Sequence, residues 1–297
     1  MKKKVRISVE DKVLYTVTNI CLWLLLIIVG YPIIYMISSS FSSGQAVITG
    51  RVVLWPVEPS LEGYKAVFNY RSVIIGFRNS ILYTVVGTSV NVMMTLIAAF
   101  PLSRRNFQGR KIYMTLFIIT MFFSGGLIPS YILITQLGLI NNMWAIILPG
   151  AIATFNMIIT RTFFMSSIPY ELVEASQIDG CSDFRFFFTI LIPLSKAIIA
   201  VITLYYGVGH WNSWFGALIY LRDPDMAPLQ LVLRDILLAS RLNPSEITDP
   251  ELQQRLAYMA ELMKYSLIVV SSVPVIAIYP FVQKYFIKGV MIGSLKG

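Results

Sequence analysis

Charge is scarce in this chain. Only 13% of its 297 residues are Asp, Glu, Lys or Arg, where soluble domains carry roughly a quarter. With 56% hydrophobic residues and a mean hydropathy of +0.70, a water-soluble globule would lack the polar surface to cover itself. Histidine and cysteine are equally sparse: His210, Cys21 and Cys181 are all there is, so no Cys/His cluster exists to hold a metal. Cys21 falls in an apolar run and Cys181 in a loop expected to face a reducing compartment, so no disulfide is expected. No G-x-x-x-x-G-K-[ST] loop is present to cradle phosphates; if ATP drives this protein, another chain hydrolyses it. A nucleophile–base pair is lacking too, and Glu174 and Asp179, which share one loop, read as caps or partner contacts because nothing encloses them in a pocket.

What the chain has instead is long runs without Asp, Glu, Lys or Arg: 13–50, 79–103, 112–160, 197–221 and 265–283. As one helix the third run, 112–160, would be roughly 74 Å long, more than twice the hydrocarbon thickness of a bilayer. The polar stretch from Gln136 to Asn142 divides it. The expectation is an all-α polytopic membrane protein with six transmembrane helices, near 15–38, 79–102, 112–133, 143–163, 195–219 and 264–283. It is read as a single transmembrane domain over 1–297: an arm 1–14, a membrane region 15–283 that includes a loop 165–193, and a tail 284–297. The first apolar run exceeds the 7–15 residues of a signal-peptide core, so a retained anchor is expected, although the small residues Ser38–Ser43 follow it.

Lys and Arg set the orientation. With six spans both termini share a side. That side, with the 103–111 and 161–196 stretches, holds 15 of the 24 basic residues and 6 of the 15 acids; the other side holds 9 of each. The basic side is assigned to the cytoplasm, which places both termini there and leaves 41–75 and 221–262 outside. This topology accounts for the sequence pI near 9.5 with no nucleic-acid partner.

Inside the apolar runs the polar groups are neutral apart from His210, and no acid stands in mid-membrane, where proton-coupled carriers place them. Amides, hydroxyls and aromatics suit a polyol better than a bare ion. Thr120, Asn156, Tyr205, Trp211 and Asn212 are expected to line the route. Asn156 bonding only a neighbouring helix is the competing reading, and for Trp211 and Trp214 it is lipid anchoring at the interface.

The loop 165–193 reads as helix–turn–helix. Pro169 suits a first helical turn and Glu171 complements the helix dipole. Gly180 fits the left-handed position that ends a helix, and Ser182 caps a second helix with Asp183 in its first turn. Ala175, Ser176 and Gly180 are small enough for a partner to approach closely.

These residues carry a resemblance. Glu174-Ala175-Ser176, Gly180 after three residues, and Ile190, Ile192 and Pro193 after nine more resemble the EAA motif of ABC-importer permeases, E-A-A-x3-G-x9-I-x-L-P. Ser176 and Ile192 depart from it mildly. Phe77-Arg78-Asn79-Ser80, the Trp211-Asn212-Ser213-Trp214 block and the chain end from Gln283 are similar to the maltose-permease type and, within it, to polysaccharide-fragment permeases. The resemblance implies the type I ABC importer permease fold and a subunit, not an enzyme, that takes up a carbohydrate, an oligosaccharide or polysaccharide fragment, across a bacterial cytoplasmic membrane.

It further implies coupling to an ATPase through Glu171, Glu174, Ala175, Ser176, Asp179, Gly180 and Pro193. Three glycines make the tail a poor helix, and the resemblance implies that Met291, Ile292, Gly293, Lys296 and Gly297 insert extended between ATPase subunits. Implied partners are a second homologous permease, two ATPase subunits that hold the ATP and Mg, an extracellular sugar-binding protein that docks on 221–262, and membrane lipid; no cofactor is expected in this chain. The alternatives are a permease for a non-sugar solute, a stand-alone secondary carrier, and a membrane enzyme or scaffold.

Overall fold

A computed structural model describes residues 8–239, 258, 260–278 and 280. Its described residues are helical save for loops and one isolated bridge, Ser42 to Pro59. The chain divides into two compact units, one made of residues up to Tyr70 with Asp235–Ser271, the other of Arg71–Arg234 with the chain from Ser272 onward.

The first unit opens with α1 (Val9–Ser40), started by a capping box in which Ser8 and Asp11 satisfy each other's backbone N–H groups. Its most apolar stretch is not buried by any described residue, as befits a helix whose surroundings are lipid or a partner. The serines at its end, Ser39 excepted, are spent on hydrogen bonds among the described residues. Ser38 Oγ donates to Leu54 O at 2.6 Å, Ser42 Oγ donates to Ser38 O at 2.7 Å and accepts from Val57 N, and Ser43 caps α2 (Gly44–Ile48). α3 (Glu62–Asn69) follows. Where α2 and α3 meet the chain at 258–266, the close approach needs glycine: a Cβ at Gly44 would stand 2.8 Å from the Leu262 side chain, and one at Gly63 would collide with the Ser266 hydroxyl.

The second unit holds α4 (Arg71–Ser103), α5 (Arg110–Phe122), α6 (Leu127–Gln136), α7 (Trp144–Ile147, prolonged by a 3-10 turn Leu148–Gly150), α8 (Thr154–Ser167), α9 (Tyr170–Ile178), α10 (Asp183–Phe186), α11 (Ile192–Leu194), α12 (Lys196–Trp211) and α13 (Phe215–Tyr220). α14 (Leu229–Ala239) and the last described helix, α15 (Ala260–Ile278), each pass from one unit into the other. α4, α8 and α12 enclose the core, with Leu96, Ala99, Met157, Phe164, Phe186 and Ile202 at its centre. Burying large side chains of this kind contributes roughly 1.5–3 kcal/mol each in water; within a bilayer, packing and hydrogen bonding carry more of the load.

Among the described residues three helices, α1, α4 and α15, are singly long and apolar enough to cross a membrane, and three bent pairs qualify when each is taken as one span. This adds bends to the spans expected at 112–133, 143–163 and 195–219. α5 and α6 meet at 116°, α7 and α8 at 50°, and Asp183–Leu194 meets α12 at 82°. The first break falls at Gly125-Gly126, with Gly126 at φ +84°; the second follows Pro149-Gly150, residues that interrupt an α-helical ladder. The second expected span also starts earlier, at Arg71, because the outer turns of α4 bind the 225–229 segment.

Candidate functional site

α9 and the helical segment 183–194 form a hairpin against the Ser103 end of α4. The turn between them follows from Gly180, at φ +71°. Its N–H donates to Gln177 O at 3.0 Å and Cys181 N donates to Ser176 O at 2.9 Å, the paired bonds of a Schellman ending. Ser182 then caps α10 by accepting from Arg185 N at 3.3 Å. Both features stand where the residue types place them; Pro169 sits one position earlier than expected, as the cap of α9. Beyond α10 the chain makes a π turn, Phe187–Leu191, before α11. Pro193 has no N–H to close the preceding turn, and widening the ladder by one residue accommodates it.

On α9, Val173 and Ser176 face the core, and Ser176 Oγ donates to Val173 O within its own helix. Glu171, Glu174, Ala175, Asp179 and Gly180 are exposed, and so is Pro193. Ile178 is 87% exposed and Phe184 75%: two bulky apolar side chains stand in the open on either side of the turn. A Cβ built on Gly180 meets nothing within 4 Å. The hairpin thus presents a flat, partly apolar surface with small residues between two projecting ones.

What fixes the hairpin is a set of arginines that the sequence reading counted only toward topology. The Arg104 guanidinium touches both the Phe100 and Phe186 rings, 4.6 and 4.5 Å from their centroids, and pairs with Asp183 at 3.0 Å. Burial draws its pKa below the ordinary value, with Asp183 opposing that shift. Arg105 covers the Tyr170 ring at 4.5 Å, and Arg161 Nε donates to Leu102 O at 2.8 Å, satisfying a carbonyl at the end of α4. A recess of about 360 Å³ remains beneath α9, lined by Phe100, Arg104, Arg105, Tyr170 and Val173 among others. The legible signal was the choice of arginine beside phenylalanines, since a flat cation stacks where lysine does not.

Of the five expected route residues, Thr120 lies on α5, Asn156 on α8, Tyr205 and Trp211 on α12, and Asn212 caps the end of α12. Thr120 Oγ1 donates to Phe117 O and stands 3.3 Å from Thr154 Oγ1, tying α5 to α8. Asn156 is buried on α8. Tyr205 is half exposed with its ring against Phe155, while its neighbour Tyr206 is the buried, hydrogen-bonded member of the pair. Trp211 packs edge-on against Phe77 and lines a crevice of about 310 Å³ with Thr84, Thr88 and Thr203. Asn212 Nδ2 donates back to Val208 O of its own helix. The expected tail residues, Met291 to Gly297, lie outside the described residues.

At the opposite end of α4, the Asn79–Ser80 pair that carries part of the resemblance has a structural task. Asn79 Nδ2 donates to Asp225 O at 2.8 Å and Ala227 O at 3.1 Å, Ser80 Oγ accepts from Leu229 N at 2.8 Å, and Tyr83 OH donates to Met226 O at 2.8 Å. Part of the segment expected outside, 221–262, is helical as α14, and residues 240–257 and 259 of it lie outside the described residues.

Apolar helices long enough to cross a membrane, with an exposed, pinned hairpin, define a polytopic membrane protein. The chain belongs to the family of binding-protein-dependent transport system inner membrane components, whose profile matches residues 72–292. The match begins one residue after the start of the second unit. Among curated relatives, Protein LplC of Bacillus subtilis (strain 168) is 41% identical over 90% of this chain and 89% of its own length. The polygalacturonan/rhamnogalacturonan transport system permease protein YtcP of the same organism is 39% identical, over 90% and 92%. A chain in the crystal structure of a bacterial ABC transporter involved in the import of the acidic polysaccharide alginate superposes with a TM-score of 0.86 at 34% identity, covering 95% of this chain and all of that one. The protein is accordingly an ABC transporter permease of the inner membrane.

Proposed function

We propose that this permease imports a carbohydrate, an oligosaccharide or polysaccharide fragment, and that the hairpin at 168–194 receives the movement of an ATPase. The named cargo of the relatives supports the first part, and the pinned hairpin with exposed Ile178, Phe184 and Gly180 carries the second. In this reading the six spans put both termini and the hairpin in the cytoplasm, as the positive-inside charge split favours. Glu171, Glu174, Ala175, Ser176, Asp179 and Gly180 form the contact face, and Pro193 shapes the π turn behind it. Ile178 and Phe184 are the apolar anchors that such an interface buries at its centre. ATP and Mg belong to two ATPase subunits, and the chain itself performs no catalysis. A second, different permease completes the path, and α1, apolar all round, faces lipid or that partner. The 221–239 segment presents the external face to a sugar-binding protein. The tail Met291–Gly297 reinforces the hairpin by inserting at the ATPase dimer.

The test is uptake by the assembled complex in vesicles, with the partner permease, ATPase and binding protein, using labelled uronic-acid and neutral oligosaccharides. ATP-dependent uptake of an oligosaccharide is expected, and Ile178→Asp should abolish it by weakening ATPase association. Uptake that persists without the ATPase would overturn the reading. Cysteine labelling from outside should reach residue 245 and spare residue 108, and deleting Met291–Gly297 should lower sugar-stimulated hydrolysis.

A further inference from the structure

The break between α7 and α8 leaves main-chain polar groups without helical partners, which inside a membrane must be satisfied by neighbouring helices. Two side chains do this. Asn91 Nδ2 on α4 donates to Gly150 O at 3.0 Å, and Ala153 N donates to Tyr206 OH of α12 at 2.9 Å, which in turn meets Thr95 Oγ1 of α4 at 2.6 Å. The same Asn91 nitrogen stands 3.2 Å from His210 Nε2 on α12.

The chemistry orients this node. Gly150 O only accepts, so the amide nitrogen of Asn91 must face it. That nitrogen then presents its second hydrogen to His210 Nε2, which makes Nε2 the acceptor and puts the imidazole proton on Nδ1. Asn91 is buried and its Oδ1 has no hydrogen-bond partner among the described residues. A turned amide would set oxygen against Gly150 O, so the His210 acceptor holds the one orientation that serves the break. A separate observation shows how tightly the ring is placed: a Cβ on Gly87 would lie 2.6 Å from both Cε1 and Nε2 of His210.

α8 and α12 are also the helices that flank the hairpin, and α4 pins the hairpin through Arg104. We propose that Asn91, oriented by His210, is a positioning clasp that holds the break in the fourth span rigid, so that movement of the hairpin reaches α4, α8 and α12 as one body. The clasp rests on the transport reading above, and wild-type uptake tests that reading separately. The clasp is read from the ratio of each variant to wild type.

The experiment compares His210→Gln, which keeps an acceptor, with His210→Leu, which removes it, and with Gly87→Ala, which displaces the ring without touching either polar residue. Purified, assembled complexes are scored for uptake per ATP hydrolysed. His210→Leu and Gly87→Ala should lower that ratio about tenfold, the range seen when a coupling element is loosened, while His210→Gln stays within about threefold of wild type. In parallel, a cysteine at position 152 should react faster with a small polar reagent in the Leu variant and not in the Gln variant. The proposal is overturned if His210→Leu couples like wild type, if His210→Gln fails as badly as His210→Leu, or if coupling falls with no change at position 152.

Discussion

The two ends of α4 are fastened by different chemistry. At the Arg71 end, Asn79, Ser80 and Tyr83 hold the main chain of 225–229 through neutral hydrogen bonds, and Gly76 lets Leu229 approach so that a Cβ there would stand 3.1 Å from it. The ion pair at that end, Arg71 with Asp225, is 3.8 Å long with both side chains in the open and contributes little. At the Ser103 end the fastening runs side chain to side chain, through Arg104 against two rings and Asp183. Bonds to main chain fix a segment whatever side chains it carries, which suits a surface that only has to keep its shape. Side-chain stacking fixes the orientation of one helix on another, which suits a hairpin that must pass on a push.

Variants at the Ser103 end should therefore uncouple the protein, and variants at the Arg71 end should only loosen it. The largest effect is expected for Arg104→Ala. Losing two ring contacts costs about 2 kcal/mol of local stability and frees α10 from α4, so ATP hydrolysis should continue while uptake fails. Arg104→Lys should recover part of it, because the charge for Asp183 returns without the flat stack. Equal uptake in wild type and Arg104→Ala would erase the distinction between the ends.

Next comes Gly180. Since an added Cβ meets nothing within 4 Å among the described residues, Gly180→Ala should cost only its left-handed backbone, about 1–2 kcal/mol, whereas Gly180→Asn should cost less. If Gly180→Leu uncouples far more than Gly180→Ala, the excess measures the partner surface that comes close there. Normal transport in Gly180→Leu would remove the hairpin from the mechanism.

A smaller change is expected for Asn79→Ala. It leaves two carbonyls short of a donor, about 1–3 kcal/mol, and should speed proteolysis of the 221–239 segment while the ratio of uptake to hydrolysis stays near wild type. A fall in that ratio would show that the Arg71 end transmits movement as well.

The smallest effect sharpens the contrast from the first unit, where Glu58 makes an exposed charged tie to Arg51 at 2.9 Å. Ser43's hydroxyl first, and then Arg51, hold its carboxyl below the ordinary value of 4.5. A lowered folded pKa lends stability that is complete above the unfolded value and disappears as pH falls through the folded one. Thermal stability should thus drop on acidification below about pH 4.5 more in wild type than in Glu58→Gln. Parallel curves would show that the pair does nothing for the fold.

Much of this was legible in the chain. Long uncharged runs announce membrane helices because hydrocarbon tolerates little else. Gly180 and Ser182 mark the hairpin turn because a left-handed ending and an N-cap are decided within a few residues. Ser38–Ser43 read only as small residues, since nothing local says that their hydroxyls will meet Leu54, Val57 and Glu58. Arg104 and Arg161 were counted as topology signals because the rings and carbonyl they serve lie far along the chain.

By itself the sequence determined the class, the apolar helices, the turn at Gly180 and the motif that begins at Glu174, all set by local propensity and by the cost of charge in hydrocarbon. Only the tertiary structure decided which spans bend, that Asn91, His210 and Tyr206 converge on the break at 150–153, and that Arg104 binds the hairpin to α4. Those contacts join residues 53 to 119 positions apart, and no short-range rule relates side chains over such distances until packing has brought their helices together.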